Sequence, residues 1–229
     1  MTLCNKPRKP KNEVLIDSYS ILCRSIDSAN SFFDAFNKIR KSRKAKGTPT
    51  DHEQDLLRAA LLFSAAGLDS MAKQLVRDTL EVVNKTELGS FQEFSKYVQG
   101  RMMRGMNLDV KYVTEALLSD NPQQHFREEL IREITSNSLQ SKDQLLSVAS
   151  YFAIPADEIV GGAKGELAKL MTKLKDVFDT RNQIAHEMDV LLGQRNRSRR
   201  PRNYETMHDY TSFILHVSCN FFNSVAKRI

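Results

Sequence analysis

The sequence predicts an all-α helical bundle, with an extra N-terminal helix and several short helices inserted into a helical core. Nine glycines, six prolines and no tryptophan in 229 residues leave few turn breakers, β-branched runs are scarce, and apolar residues recur at three- and four-residue spacing over long stretches. Hydrophobic residues make up 41% of the chain, enough to fill a core and too many for a disordered segment. No internal repeat and no break in composition divides the chain, so residues 1–229 are expected to form one domain.

The elements follow in order. From Asn12 to about Lys44, Leu15, Tyr19, Leu22, Ile26, Ala29, Phe33 and Phe36 mark one face of an amphipathic helix. A loop at KGTPT follows. Thr50, with Glu53 three residues on, forms a capping box that opens a second helix. Its segment AALLFSAAGL is apolar almost all the way round before the stripe narrows through Leu75 and Val82, so this helix is expected to be central and buried. Shorter helices are expected over Phe91 to Met103, Leu108 to Leu118 and Gln123 to Thr135. Another follows Ser141, which pairs with Gln144 in a capping box. After Pro155, Gly161 and Gly162 a long helix starts near Ala163, with Leu167, Leu170, Leu174, Val177, Ile184, Met188 and Leu191 in step. A basic loop at 193–203 interrupts, and Met207, Tyr210, Ile214, Val217, Phe221 and Val225 define the last helix.

Charge is unevenly spread. The net charge is +6, but residues 1–11, 38–46 and 193–203 carry 4, 6 and 5 Lys or Arg and no Asp or Glu. An acidic body therefore wears three basic segments. Basic segments suit a phosphate surface, because each Lys or Arg near a polyanion releases counterions. For the first two, solvated loops and a flexible N-terminal tail over 1–11 are the favoured reading, since charge runs are common at termini and helix ends. The third segment, GQRNRSRRPRN, is arginine-only, and the planar guanidinium fork matches phosphate oxygens. Arg195, Arg197, Arg199, Arg200 and Arg202 are therefore candidate RNA contacts.

Several classes are disfavoured. Cys4, Cys23 and Cys219 form no close pair in sequence, which fits a reducing compartment without a disulfide framework. No Cys/His cluster suggests a metal, and HEMDV lacks the second histidine of a zinc HExxH motif. The N-terminus carries no apolar signal core, and the longest apolar stretch, Leu61 to Leu68, is far short of the ~20 residues that span a bilayer. The expectation is a soluble, cytoplasmic protein with no cofactor and no membrane partner.

The long helix carries the chemistry. Its spacing calls for an apolar residue at position 181, where the sequence has Arg181, followed by Asn182 and, five residues on, His186. A charge on an apolar seam loses hydration and needs a specific partner. Asn182 and Asp189 each lie one turn from His186 and either could orient the imidazole, whereas Arg181 stands about 140° around a regular helix from it. That angle suggests a groove seen from two sides, or a meeting of two copies of the helix. His208 with Asp209 reads as a polar helix start, His216 as partly buried and structural, and His52 and His125 as first-turn residues.

The string Arg181-Asn182-x3-His186, inside RNQIAHEMD, resembles the Arg-x4-His motif of the HEPN superfamily of helical ribonucleases and nucleotide-binding proteins. The body is similar to the branch called RiboL-PSP-HEPN, in LLRAALLFSAAGLDSMAKQLV (56–76) with its acidic Asp69 and in SNSLQSKDQLLSVASYFAI (136–154). The chain departs from that pattern in its extra short helices and in Met188, where a small residue is usual. The resemblance implies a metal-independent endoribonuclease acting as a homodimer, with the two motifs facing each other, in toxin–antitoxin or antiviral defence. A cognate antitoxin or another defence-system protein is then a further partner. Asp69 enters as a supporting residue on the same ground, whereas Glu187 and Asp189 could equally be salt-bridge or capping carboxylates.

The chemistry agrees with the residues. Metal-free RNA cleavage needs a group that takes the 2′-hydroxyl proton, a group that protonates the leaving 5′-oxygen and a cation beside the phosphorane charge. Imidazoles titrate near neutrality, so His186 suits acid or base, and Arg181 suits the phosphate. The product would be a 2′,3′-cyclic phosphate. The alternatives are a catalytically silent HEPN-like module that binds RNA or a nucleotide or partners a toxin, and a helical interaction protein whose Arg181 closes a dimer interface.

Overall fold

The computed structural model describes residues 2–105, 107–162, 165–191 and 198–229. Among these the architecture is all-α, about three quarters helical. A single 3-10 turn at Glu13–Leu15 leads into α1 (Ile16–Ser42), and α2 (Asp51–Thr86) returns antiparallel to it. The side chain of Thr50 accepts from the Glu53 N–H while Glu53 accepts from the Thr50 N–H, which completes the capping box and satisfies two donors that the first turn leaves free.

Half of the 36 residues of α2 are buried, Leu57, Leu61, Leu68, Met71 and Leu75 completely. This is the central helix. Gly67 lets α1 come close, because a Cβ there would overlap Ser25. The last helix, α9 (Tyr204–Ala226), runs antiparallel to α1, with Tyr204 against Phe33 and Phe36 at one end and Phe222 against Tyr19 at the other. α8 (Leu167–Glu187) lies beside α2 and α9, and Lys173 bridges to Asp209. These four helices share the apolar core.

Between α2 and α8 come α3 (Leu88–Met102), α4 (Val110–Leu118), α5 (Pro122–Ser136), α6 (Lys142–Ser150) and α7 (Ala156–Val160). Asn121 and Ser141 cap α5 and α6 through the N–H groups of Gln124 in each case three residues on and of Gln144 likewise. A two-residue hairpin, β1 (Met103–Arg104) with β2 (Asn107–Leu108), joins α3 to α4. The periodicity does not foretell this hairpin or α7, since both are too short for a repeat to show.

Two expectations change. The basic N-terminal segment is held against the body rather than trailing as a flexible tail. Leu3 and Cys4 are buried, the Leu3 N–H donates to Asn30 at 3.0 Å, the Ser212 hydroxyl donates to the Leu3 carbonyl at 2.7 Å, and Lys6 pairs with Asp27. Helix α8 also ends at Glu187 instead of continuing to Leu191. Met188 and Asp189 adopt left-handed conformations, φ 51° and 58°, and Met188, expected on the apolar seam, is 68% exposed. The cause is Asp189, whose carboxylate is drawn into a buried cluster of guanidiniums.

Candidate functional site

The last turn of α8 and the chain that follows it build the site. Arg181 and Asn182 project from the turn before it and His186 from the last turn itself, with Arg181 and Asn182 half-buried and His186 exposed. Arg181 Nη1 donates to Asn182 Oδ1 at 2.9 Å and lies 3.3 Å from His186 Nε2. A guanidinium carries only donors, so Nε2 is the acceptor in that contact. The two side chains therefore meet within one chain. The expectation that 140° of separation keeps them apart fails because the arginine side chain is long enough to wrap across the helix surface. The proposed orienting bond from Asn182 to the imidazole is also absent among the described residues, where Asn182 serves Arg181 instead.

The electrostatics of Arg181 are unusual for this protein. Its Nε is buried and has no hydrogen-bond partner. Among the described residues no carboxylate forms an ion pair with it, whereas Arg40, Arg43, Arg58, Arg199, Arg200, Arg202 and Arg228 each reach one. Burial lowers its pKa below the ordinary arginine value, and only the longer-range charge of Asp69 works against that. Asp69 itself is occupied. It accepts from the Leu139 N–H at 2.7 Å and from Lys73 Nζ at 3.0 Å, tying the chain just before α6 to α2.

The other sequence candidates are employed in holding the fold. Asp189 is fully buried. Its Oδ2 accepts from Arg58 Nε at 2.7 Å and from Arg202 Nε at 2.9 Å, and its Oδ1 accepts from Arg202 Nη2 at 2.6 Å. It cannot orient His186. Glu187 pairs with Arg200 at 3.0 Å. Arg199 pairs with Asp55 at 2.7 Å and forms an antiparallel bridge to Val190. The three described arginines of the basic loop thus fasten its return strand to α2 and α8 instead of offering a free phosphate surface. Arg195 and Arg197 lie outside the described residues.

Sequence reasoning missed Arg58 and Gln54. Arg58 donates to Asp189, Asp55, Gln54 and the Arg200 carbonyl, while Gln54 Oε1 accepts from the Arg202 N–H at 2.6 Å. Arg58 gave the same signal as Arg181, a charge inside an apolar run, LLRAALL. His216, expected to be partly buried, is exposed on α9. His208 stacks on Tyr204 and meets the edge of Phe33, which suits a structural role.

Among the described residues, no group of three or more His, Cys, Asp or Glu is arranged to hold a metal ion, and no helix is long and apolar enough to cross a membrane. Fold and site together define an all-α protein with a surface arginine–histidine pair at the end of a core helix. Comparisons with protein-family models, curated proteins and solved structures return no match.

Proposed function

We propose that this chain is a metal-independent endoribonuclease of HEPN type, cutting RNA through a 2′,3′-cyclic phosphate with Arg181 and His186 as its working pair. One observation carries the reading. A half-buried guanidinium, without a carboxylate partner and with its Nε unused, touches the Nε2 of an exposed histidine. A cation that has lost hydration and gained no counter-ion favours an incoming anion. The neighbouring imidazole supplies the proton acceptor that phosphodiester cleavage requires.

In this scheme a bridging phosphate takes the fork of Arg181, whose Nη1 leaves His186. The freed Nε2 accepts the proton of the ribose 2′-hydroxyl as that oxygen attacks phosphorus. The bond from phosphorus to the 5′-oxygen then breaks, and the leaving oxygen needs a proton from the opposite side of the phosphorus. One imidazole cannot stand on both sides of an in-line displacement. A second copy of the chain supplies the second histidine, which is the chemical reason for a homodimer. Asn182 steers the guanidinium, and Asp69 supports its charge. An exposed site at a helix end suits a polymer, which a closed pocket would not admit. Toxin–antitoxin or antiviral defence in the cytoplasm, with an antitoxin as restraint, is the setting that the HEPN resemblance implies.

Incubation of the purified protein with total RNA in the presence of EDTA tests the proposal. Cleavage by the wild type and its loss in His186→Ala, with unchanged circular dichroism, support it. RNA binding without cleavage would instead favour a silent RNA-binding module.

A further inference from the structure

Cys4 and Cys219 are 215 residues apart in sequence, yet their sulfurs lie 3.6 Å apart in the fold, both side chains buried. Cys4 sits on the irregular N-terminal segment and Cys219 on the third turn from the end of α9. The pair belongs to a small cluster, because Cys23 of α1 stands near Cys219 and the exposed imidazole of His216 stands beside Cys4. His216 Nδ1 is 2.7 Å from the Ser212 carbonyl. A carbonyl only accepts, so Nδ1 carries the proton and the second ring nitrogen is left as an acceptor.

This environment activates one sulfur of the two. The Cys219 sulfur in contact with it and the neighbouring His216 lower the Cys4 thiol pKa against the opposing effect of burial. The same contact and burial push Cys219 upward. A thiolate next to a protonated thiol is the arrangement in which one sulfur attacks an oxidant and the other resolves the product.

We propose that Cys4 and Cys219 form a built-in oxidation site for hydroperoxides, which convert the pair to an intramolecular disulfide that clasps the N-terminal segment to α9. The Cys4 sulfur attacks one peroxide oxygen, the O–O bond breaks, and the proton that His216 has taken from Cys4 goes to the departing hydroxide as water. This leaves Cys4 as a sulfenic acid. Cys219 sulfur then attacks the Cys4 sulfur, the S–O bond breaks, and a second water leaves with the Cys219 proton. Two thiols together lose two electrons and one hydroperoxide gains them. Closure from 3.6 Å to a disulfide of about 2.05 Å asks for a shift of about 1.5 Å. The irregular backbone around Cys4, which is tied by single hydrogen bonds at Leu3, is the side that can give.

The test treats the full-length protein with a slight excess of hydrogen peroxide, alkylates the remaining thiols and maps the peptides by mass spectrometry without reduction. The expected result is a fall from three alkylatable cysteines to one, Cys23, with a Cys4–Cys219 cross-linked peptide and no chain-to-chain product. Cys219→Ser should stop at a Cys4 sulfenic acid that dimedone captures, and Cys23→Ser should cross-link as the wild type does. Consumption of Cys23 with Cys4 and Cys219 still alkylated, or cross-links only between chains, would overturn the proposal. Should Cys219→Ser not fold, the wild-type peptide map alone decides.

Discussion

Asp189 and Arg58 meet at 2.7 Å across 131 residues of sequence, both side chains almost completely shielded from water. That bond, with the two from Arg202, explains why α8 stops where it does. A left-handed residue that is not glycine costs about 1 kcal/mol, and two stand in succession at Met188 and Asp189. The backbone accepts this because the carboxylate then reaches two guanidiniums that would otherwise be buried without a counter-charge. His186 is three residues away, so the same cluster fixes the end of the helix on which the proposed site stands. Asp189→Asn leaves both guanidiniums short of a charge and should destabilise the fold by about 3 kcal/mol, the lower end for breaking a buried pair. Urea unfolding of wild type and variant measures it.

Acid should act through the same group. Burial works to raise the Asp189 pKa, but the hydrogen bonds and charges of Arg202 and Arg58 outweigh it and hold the carboxyl below its ordinary value. Glu53 is also lowered, chiefly by the Thr50 N–H, with Arg43 and Arg40 assisting against burial. Both carboxyls are thus lower in the folded state than in the unfolded one. Their stabilisation is complete above the unfolded value of roughly 4 and is lost as pH falls through the lower folded values. Stability by urea titration should therefore be steady from pH 7 to 5 and drop below pH 4, with a shallower drop in Asp189→Asn.

Gly67 offers a case in which helix propensity points the wrong way. Alanine is better than glycine in a helix by about 1 kcal/mol. The added Cβ at 67 would overlap both the Cβ and Oγ of Ser25 on α1, and overpacking of a tight contact costs about 1 to 3 kcal/mol. Gly67→Ala should be net destabilising, and Ser25→Gly in the same background should recover most of the loss. Recovery by Ser25→Ala would be inconsistent with a Cβ overlap.

The basic loop separates by burial. Arg199 and its partner Asp55 are 28% and 45% exposed, so Arg199→Ala should change stability by less than about 1 kcal/mol. Arg202 serves the fully buried Asp189 and also Gln183, and Arg202→Ala should cost about 3 kcal/mol. In filter binding, Arg199→Ala and Arg200→Ala should weaken RNA affinity less than Arg181→Ala does.

Periodicity reveals the longer helices, and residue types reveal the caps, because both depend on neighbours within a few positions. The capping box at Thr50, the burial of α2 and the anomaly at Arg181 were all legible in this way. The contacts that close the site were not. Asp189 read as a candidate to orient His186, yet its partners Arg58 and Arg202 come from another helix and from a loop return. The meeting of Arg181 with His186 depends on side-chain reach, which helix angles alone do not describe. Cys4 and Cys219 come together only once α9 has folded back over the start of the chain, so their spacing in sequence held no trace of the pair.

The most direct measurement is the chemistry of the cut ends. A defined RNA is incubated in EDTA with wild type, Arg181→Ala and His186→Ala, and the termini are read by mass spectrometry. Wild type should leave 2′,3′-cyclic phosphate and 5′-hydroxyl ends, with at least a hundredfold loss in either variant, the low end of what a general acid–base group contributes. Equal cleavage by His186→Ala, or 3′-hydroxyl ends from the wild type, would contradict an arginine–histidine ribonuclease.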